Sequence, residues 1–339
     1  MYWIITRDNR NGNEAVTSLY MDIIKKGCEK TGIKCEYYSP RFNLDKEDTL
    51  IFDECKIAYV YMIKGYKNII VWIQGIVPEE AILQGYSKAR YIAHSFIEKY
   101  VLKNAKLLFF VSNAMLMHYQ SKYKINFRNN YLIMPCFNEK GIDNESFRNK
   151  VKYSNNTFTY IGGLNAWQCI DETLKIYKII EEKLNYCSKF FLYTKDIDTA
   201  KVYIKRYGIK TAIIDYKDAK DLGNYIKNIK YGFVLRKNHV VNRVATPTKL
   251  SNYIAHGIIP IYSSCIESFN NYNIESNGPA VICDLDNVEE GINNIVNSCK
   301  RDIDKDQVYK WVTNTFADYY CIEKYVEMIS NKLKDCNNL

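Results

Sequence analysis

Histidine is scarce in this chain, and so is any spacing that would hold a metal. Only four histidines occur in 339 residues (His94, His118, His239 and His256), none at H-x-x-x-H spacing, so a histidine-built metal centre is not expected. The eleven cysteines are an odd number and include no C-x-x-C pair, which argues against a disulfide framework and for a reducing cytosol. No apolar run reaches the roughly 18–20 residues of a membrane span. The N-terminal Met1-Tyr-Trp-Ile-Ile-Thr lacks the basic region and cleavage site of a signal peptide and reads instead as a first buried strand. Dense Lys/Arg blocks and nucleic-acid motifs are also missing, so the net charge of +9 points to a phosphorylated substrate or an anionic membrane surface, not to nucleic acid. Thirty tyrosines would suit a lipid interface, but tyrosines also fill cores and sheet faces.

What is present is a globular composition, 47% hydrophobic and 25% charged, at a length that suits two domains. The first half alternates strands and helices. Strands are expected at Tyr2–Thr6, Ile33–Tyr38, Ile57–Tyr61, Ile69–Ile73, Lys106–Val111 and Tyr131–Met134. Ala15, Leu19, Ile23 and Ile24 mark a helix after a turn containing Gly12, and helical periodicity returns over Tyr86–Ala105 and Asn113–Tyr123. From Asn138 to Asn156 the chain turns polar, as a linker would. The pattern then restarts: a strand at Thr157–Ile161, the corner Gly162-Gly163, and a helix with Ile170, Leu174, Tyr177, Ile180 and Leu184 on one face. Further strands are expected at Phe190–Tyr193, Ala212–Ile214, Gly232–Leu235 and Ala280–Ile282, and Asp304–Leu333 is helical. A glycine corner lets backbone approach a ligand, though such turns also join strands to helices in proteins that bind nothing there.

The most informative stretch is Arg243–Tyr262, R-V-A-T-P-T-K-L-S-N-Y-I-A-H-G-I-I-P-I-Y. Thr246 as N-cap, Pro247 at the first helical position, Leu250, Tyr253 and Ile254 at helical spacing and Gly257 as terminator predict a helix over about 247–256. Ile258–Tyr262 then reads as a strand, with Pro260 arguing for a sheet edge or an irregular start. Lys249 falls in the first turn, where the helix dipole disfavours a cation by roughly 0.3–1 kcal/mol. Its partner is either water or an anion; with an anion, Thr246, Thr248 and Lys249 would converge on one phosphate.

Y-I-G-G-L-N-A-W-Q-C-I-D-E-T-L at 160–174 and P-T-K-L-S-N-Y-I-A-H-G-I-I-P-I at 247–261 resemble the two signatures of the second domain in GT-B fold glycosyltransferases, close to glycosyltransferase family 4. W-I-Q-G-I-V-P-E-E at 72–80 and K-L-L-F-F-V-S-N-A-M at 106–115 are similar to first-domain segments of the same family. The resemblance implies an α/β protein of two Rossmann-like domains facing a central cleft. The acceptor domain would span 1–145 and the donor domain 146–310, with a C-terminal helix at 311–339 crossing back to the first. It implies that Lys249, Thr246, Thr248 and Arg236 contact a donor diphosphate, within a binding segment that includes Pro247 and Leu250. Gly162 and Gly163 would lie beside the phosphates and Gly12 opposite, with Tyr193 and Thr194 near the base or ribose. Tyr193 and Thr194 read equally well as a buried tyrosine with a turn residue, and Arg236 as a surface arginine.

Two departures from the family stand out. Asn252 occupies the place of a ribose-binding glutamate, where an amide can still donate or accept. Gln74-Gly75 occupies the place of a histidine near the sugar; Gln74 cannot serve as a base but can orient a hydroxyl. Glu79 and Glu80 are either the nearest candidates for taking the acceptor proton or the acids that start a helix. Asp-x-Asp triplets at Asp196–Asp198, at Asp284–Asp286 and through Asp302, Asp304 and Asp306 could hold a divalent cation but read as chance; the resemblance implies a leaving group stabilised by helix ends and cations, so no metal or other cofactor is expected. The reading is therefore a cytoplasmic glycosyltransferase, or one peripheral at the inner face of the plasma membrane, in bacterial surface-polysaccharide or glycoconjugate synthesis. It takes a nucleotide-sugar donor and a saccharide, lipid-linked saccharide or other hydroxyl acceptor. The alternatives are an epimerase or phosphorylase on the same fold, or a silent nucleotide-binding scaffold.

Overall fold

The computed structural model describes residues 1–6, 15–149 and 151–337. The chain forms two compact units: Met1–Asn138 with Arg243–Thr246 and Cys321–Leu339, and Glu139–Asn242 with Pro247–Tyr320. Gly12 lies outside the described residues.

The first unit carries the strands β1 (Tyr2–Ile5), β2 (Cys35–Tyr37), β3 (Thr49–Phe52), β4 (Ile69–Ile73), β5 (Leu107–Phe110) and β6 (Tyr131–Ile133). They form one parallel sheet in the order β2-β1-β3-β4-β5-β6. Every residue of β1, β3, β4 and β5 is buried, which is why these strands are apolar throughout: helices cover both faces of a parallel sheet. Tyr20, on the helix Ala15–Glu29, stacks on Trp72 of β4 with ring centroids 3.8 Å apart. The final helix, Ile322–Asn337, runs along that first helix. Gly27 allows the approach, because a Cβ there would stand 2.4 Å from Ile329 Cγ2.

The expected strand Ile57–Tyr61 is instead part of the helix Cys55–Ile63, and β3 lies just upstream. β-Branched and aromatic residues favour a strand only where a pleated neighbour is available, and here they pack against the helix Lys88–Asn104.

The second unit carries β7 (Thr157–Ile161), β8 (Lys189–Tyr193), β9 (Ala212–Asp215), β10 (Tyr231–Val234), β11 (Ile259–Tyr262) and β12 (Val281–Ile282). Its parallel sheet runs β12-β11-β10-β7-β8-β9. Strand order reverses between β7 and β10, so their carboxyl ends flank the crevice in which doubly wound sheets bind ligands.

Pro260 is not at an edge, since β11 pairs with both β10 and β12. The Ile259 N–H bonds to the Lys230 carbonyl of the β10 side, so the position without a donor faces the other way. On that side, β12 pairs only with Ile261 and Tyr262. The expected linker is also partly structured: a turn at Asn144–Phe147 buries Ser146 and Phe147, and Lys152 and Tyr153 are buried beyond it.

Candidate functional site

The helix that carries Lys249 is shorter than expected, Lys249–Ala255. Thr246 does not cap it. Thr246 belongs to the first unit, where its hydroxyl accepts the Cys136 N–H at 2.9 Å. Thr248 takes the N-cap position with no side-chain cap bond, and its carbonyl accepts the Ser251 hydroxyl at 2.8 Å. The helix is seated on β10 by Tyr253, whose ring lies within 2.6 Å of where a Gly232 Cβ would stand. Leu250, Tyr253 and Ile254 are buried, and this fixes Lys249 toward the end of β7.

There, two cations share one neutral acceptor. Gln168 Oε1 accepts from Lys249 Nζ at 2.8 Å and from Arg236 Nη2 at 2.9 Å. The Lys249 ammonium lies 4.2 Å from the centroid of the Tyr160 ring of β7. Gly162, at φ +134°, follows β7, and a Cβ there would press on Lys249 Cε and Nζ at 3.0 Å. Arg236, just past β10, is 8% exposed. Its Nη1 donates to the Leu235 carbonyl, and its backbone N–H is held by Ser263 Oγ at 3.0 Å. Among the described residues neither cation is paired with a carboxylate: the nearby Glu172 pairs with Lys237 at 2.9 Å.

Burial pushes the Lys249 ammonium down to about 7, and the adjacent Arg236 charge adds to the effect. Burial also lowers Arg236. Both shifts express one condition, positive charge taken out of water without a counter-charge.

The other expected donor residues divide. Asn252 lies one helical turn from Lys249, and its buried Oδ1 has no hydrogen-bond partner among the described residues. Gly163 supplies the carbonyl that accepts the Tyr160 hydroxyl at 2.6 Å. Thr194 is buried with its hydroxyl accepting the Asp196 N–H at 3.2 Å, and Tyr193 is buried at the end of β8 beside the Gly162 backbone. Pro247 accepts the Leu250 N–H through its carbonyl.

In the first unit, Gln74 is exposed after β4 and donates to the Asp53 carbonyl at 3.1 Å. Glu80 serves its own helix, Val77–Leu83: Oε1 accepts the Ile76 N–H at 3.1 Å and fills the space where a Gly75 Cβ would be. Burial would raise Glu79, but His118 at 3.4 Å and Lys122 at 2.7 Å outweigh it and hold the carboxyl below its ordinary range. Lys122 also reaches Glu98, which is 3% exposed and accepts the hydroxyls of Tyr119 and Tyr123 at 2.9 and 2.6 Å. Nothing in the sequence marks Gln168, Tyr160 or this Glu98 network. An amide five residues past a glycine corner carries no charge signal, and Glu98 and Lys122 lie on different helices.

The Asp-x-Asp triplets have ordinary structural roles: Asp284 accepts the N–H and hydroxyl of Ser264, Asp198 meets Lys201, and Asp304 caps its helix at Asp306. Among the described residues no His/Cys/Asp/Glu group is arranged to hold a metal.

No protein-family model and no curated protein matches the chain. Solved structures do. A structure of S. aureus TarM in complex with fondaparinux, alpha-GlcNAc-glycerol and UDP aligns at TM-score 0.60 and 14% identity, over 87% of this chain and 56% of that one. The chain thus spans little more than half of the TarM length. A structure described as trehalose-6-phosphate from E. coli bound with UDP-2-fluoro glucose aligns at TM-score 0.67 and 11% identity, covering 100% of this chain and 99% of the other. AviGT4, a glycosyltransferase involved in avilamycin A biosynthesis, aligns at TM-score 0.55 and 9% identity, with 98% of each chain covered. At such identities the likeness speaks for architecture, and the chain has the GT-B fold, two Rossmann-like units each built on a six-stranded parallel sheet.

Proposed function

We propose that the chain is a glycosyltransferase that moves a sugar from a nucleotide-sugar donor, held by the second unit, to an acceptor hydroxyl. One observation carries the reading: Arg236 and Lys249 converge on a single acceptor atom at the switch point of a Rossmann-type sheet, with no carboxylate among the described residues to balance them. Gln168 Oε1 stands where a phosphate oxygen would accept the same two bonds. As the bond from the sugar's anomeric carbon to the diphosphate oxygen breaks, negative charge grows on that oxygen. Two buried cations stabilise it far better there than in water. Gly162 leaves room for the diphosphate beside Lys249, the Thr248 hydroxyl is a further donor, and the unpartnered Asn252 Oδ1 would accept a ribose hydroxyl proton. Structures of the same fold are described with UDP or a UDP-sugar, which makes a uridine nucleotide the first donor to test.

The setting that fits the motif resemblance is bacterial surface-polysaccharide or glycoconjugate synthesis, in the cytoplasm or at an anionic membrane surface. A thermal-shift panel of UDP-, GDP-, CDP- and dTDP-sugars should single out one nucleotide. Lys249→Ala and Arg236→Ala should each weaken its binding by about 1.5–3 kcal/mol, the usual worth of a hydrogen bond to a charged group. Full affinity and turnover in Lys249→Ala would overturn the assignment. Conversion of the donor without any acceptor would favour an epimerase.

A further inference from the structure

We propose that the outer face of the helices Cys55–Ile63 and Lys88–Asn104 docks on an anionic lipid bilayer. The inference deepens the membrane setting of the proposed function and rests on that reading for its partner. Ile92 is 66% exposed and Phe96, one turn on, is 60% exposed; Ile63 at 62% and Val60 at 44% present a second apolar ridge. Tyr59 joins the ridges, edge-on to Phe96 at 6.2 Å and to Tyr100 at 5.3 Å. Leaving that much hydrocarbon in water is unfavourable unless something covers it.

Charge says what the cover is. Lys56, Lys64, Lys88, Lys99 and Lys103 are exposed on or beside these helices. Glu98 is the only carboxylate within them, and Asp53 and Glu54, just before the first, are half-buried; Glu98 is 3% exposed and committed to Tyr119, Tyr123 and Lys122. Apolar side chains set among long cations match the boundary between acyl chains and anionic headgroups: hydrocarbon enters and ammonium groups reach the phosphates. A second copy placed face to face would set these lysines against each other. A nucleic acid would satisfy the charge yet leave Ile92 and Phe96 in water.

The test is co-sedimentation of the full chain with phosphatidylcholine vesicles, with and without phosphatidylglycerol, alongside UDP titration and thermal melting of each protein. The wild type should sediment with the anionic vesicles and not with the neutral ones. Ile92→Ser with Phe96→Ser, and separately Lys99→Glu with Lys103→Glu, should each reduce binding by about tenfold or more while melting and UDP affinity stay unchanged. Equal binding to neutral vesicles, no sedimentation of the wild type, or indifference to both double variants would overturn the proposal. So would a solution dimer that the Ile92→Ser, Phe96→Ser variant dissolves, because the face would then belong to a second copy. Vesicle binding without UDP binding would sink the transferase reading and leave the docking face standing.

Discussion

At the scale of single residues, Lys249 governs the pH behaviour. Burial followed by Arg236 depresses its pKa from 10.5 to about 7, so above neutrality the empty site loses the proton that an anion needs. Binding a diphosphate restores that proton, and affinity should weaken by up to about tenfold per pH unit above 7, with proton uptake on binding. Titration calorimetry in buffers of different ionisation enthalpy reads both effects. The same depression sets the sign for stability. The folded state binds fewer protons than the unfolded state between about 7 and 10.5, so the destabilisation is fully present at low pH and is relieved as pH rises through that window. Lys152, buried and pushed down to about 7 chiefly by desolvation, acts in the same direction. Lys249 was legible in the sequence because a cation in a first helical turn breaks a local rule. Gln168 was not, because a neutral amide breaks none.

At the scale of elements, the helix Lys249–Ala255 is held at its far end as firmly as at its near one. Gly257 sits at φ +61°, and a Cβ there would come within 2.6 Å of the Phe147 ring and 2.8 Å of the Tyr153 hydroxyl. The same hydroxyl donates to the Gly257 carbonyl at 2.7 Å. Gly257→Ala should therefore cost roughly 2–4 kcal/mol, from left-handed backbone strain plus overpacking, read as a lowered urea midpoint. Gly257 is recognisable in the sequence as a helix terminator, whereas the residues packed beneath it lie in a polar stretch that reads as a linker. Phe147 and Tyr153 form no periodic stripe, so only their contact with a helix end about a hundred residues away reveals them as core. The misread strand at Ile57–Tyr61 has the same origin: its composition is that of a strand, and its neighbour is a helix.

At the scale of the whole molecule, leaving-group charge is met in the proposed reaction by side-chain cations, and turnover should persist unchanged in excess EDTA. A loss of activity restored by a divalent ion would contradict that assignment. The alternation of strands and helices outside Ile57–Tyr61, the restart at Thr157 and the place of Lys249 at a helix start were determined by the sequence alone, since each depends on local periodicity and on residues a few positions apart; Arg236 enters only through the family resemblance. Only the tertiary structure decided that Lys249 and Arg236 meet at Gln168, 81 and 68 residues away. It also decided that Thr246 leaves the helix to serve Cys136, 110 residues distant. The physical reason is that such partners are chosen by strand order and helix seating, which bring together side chains that share no local pattern.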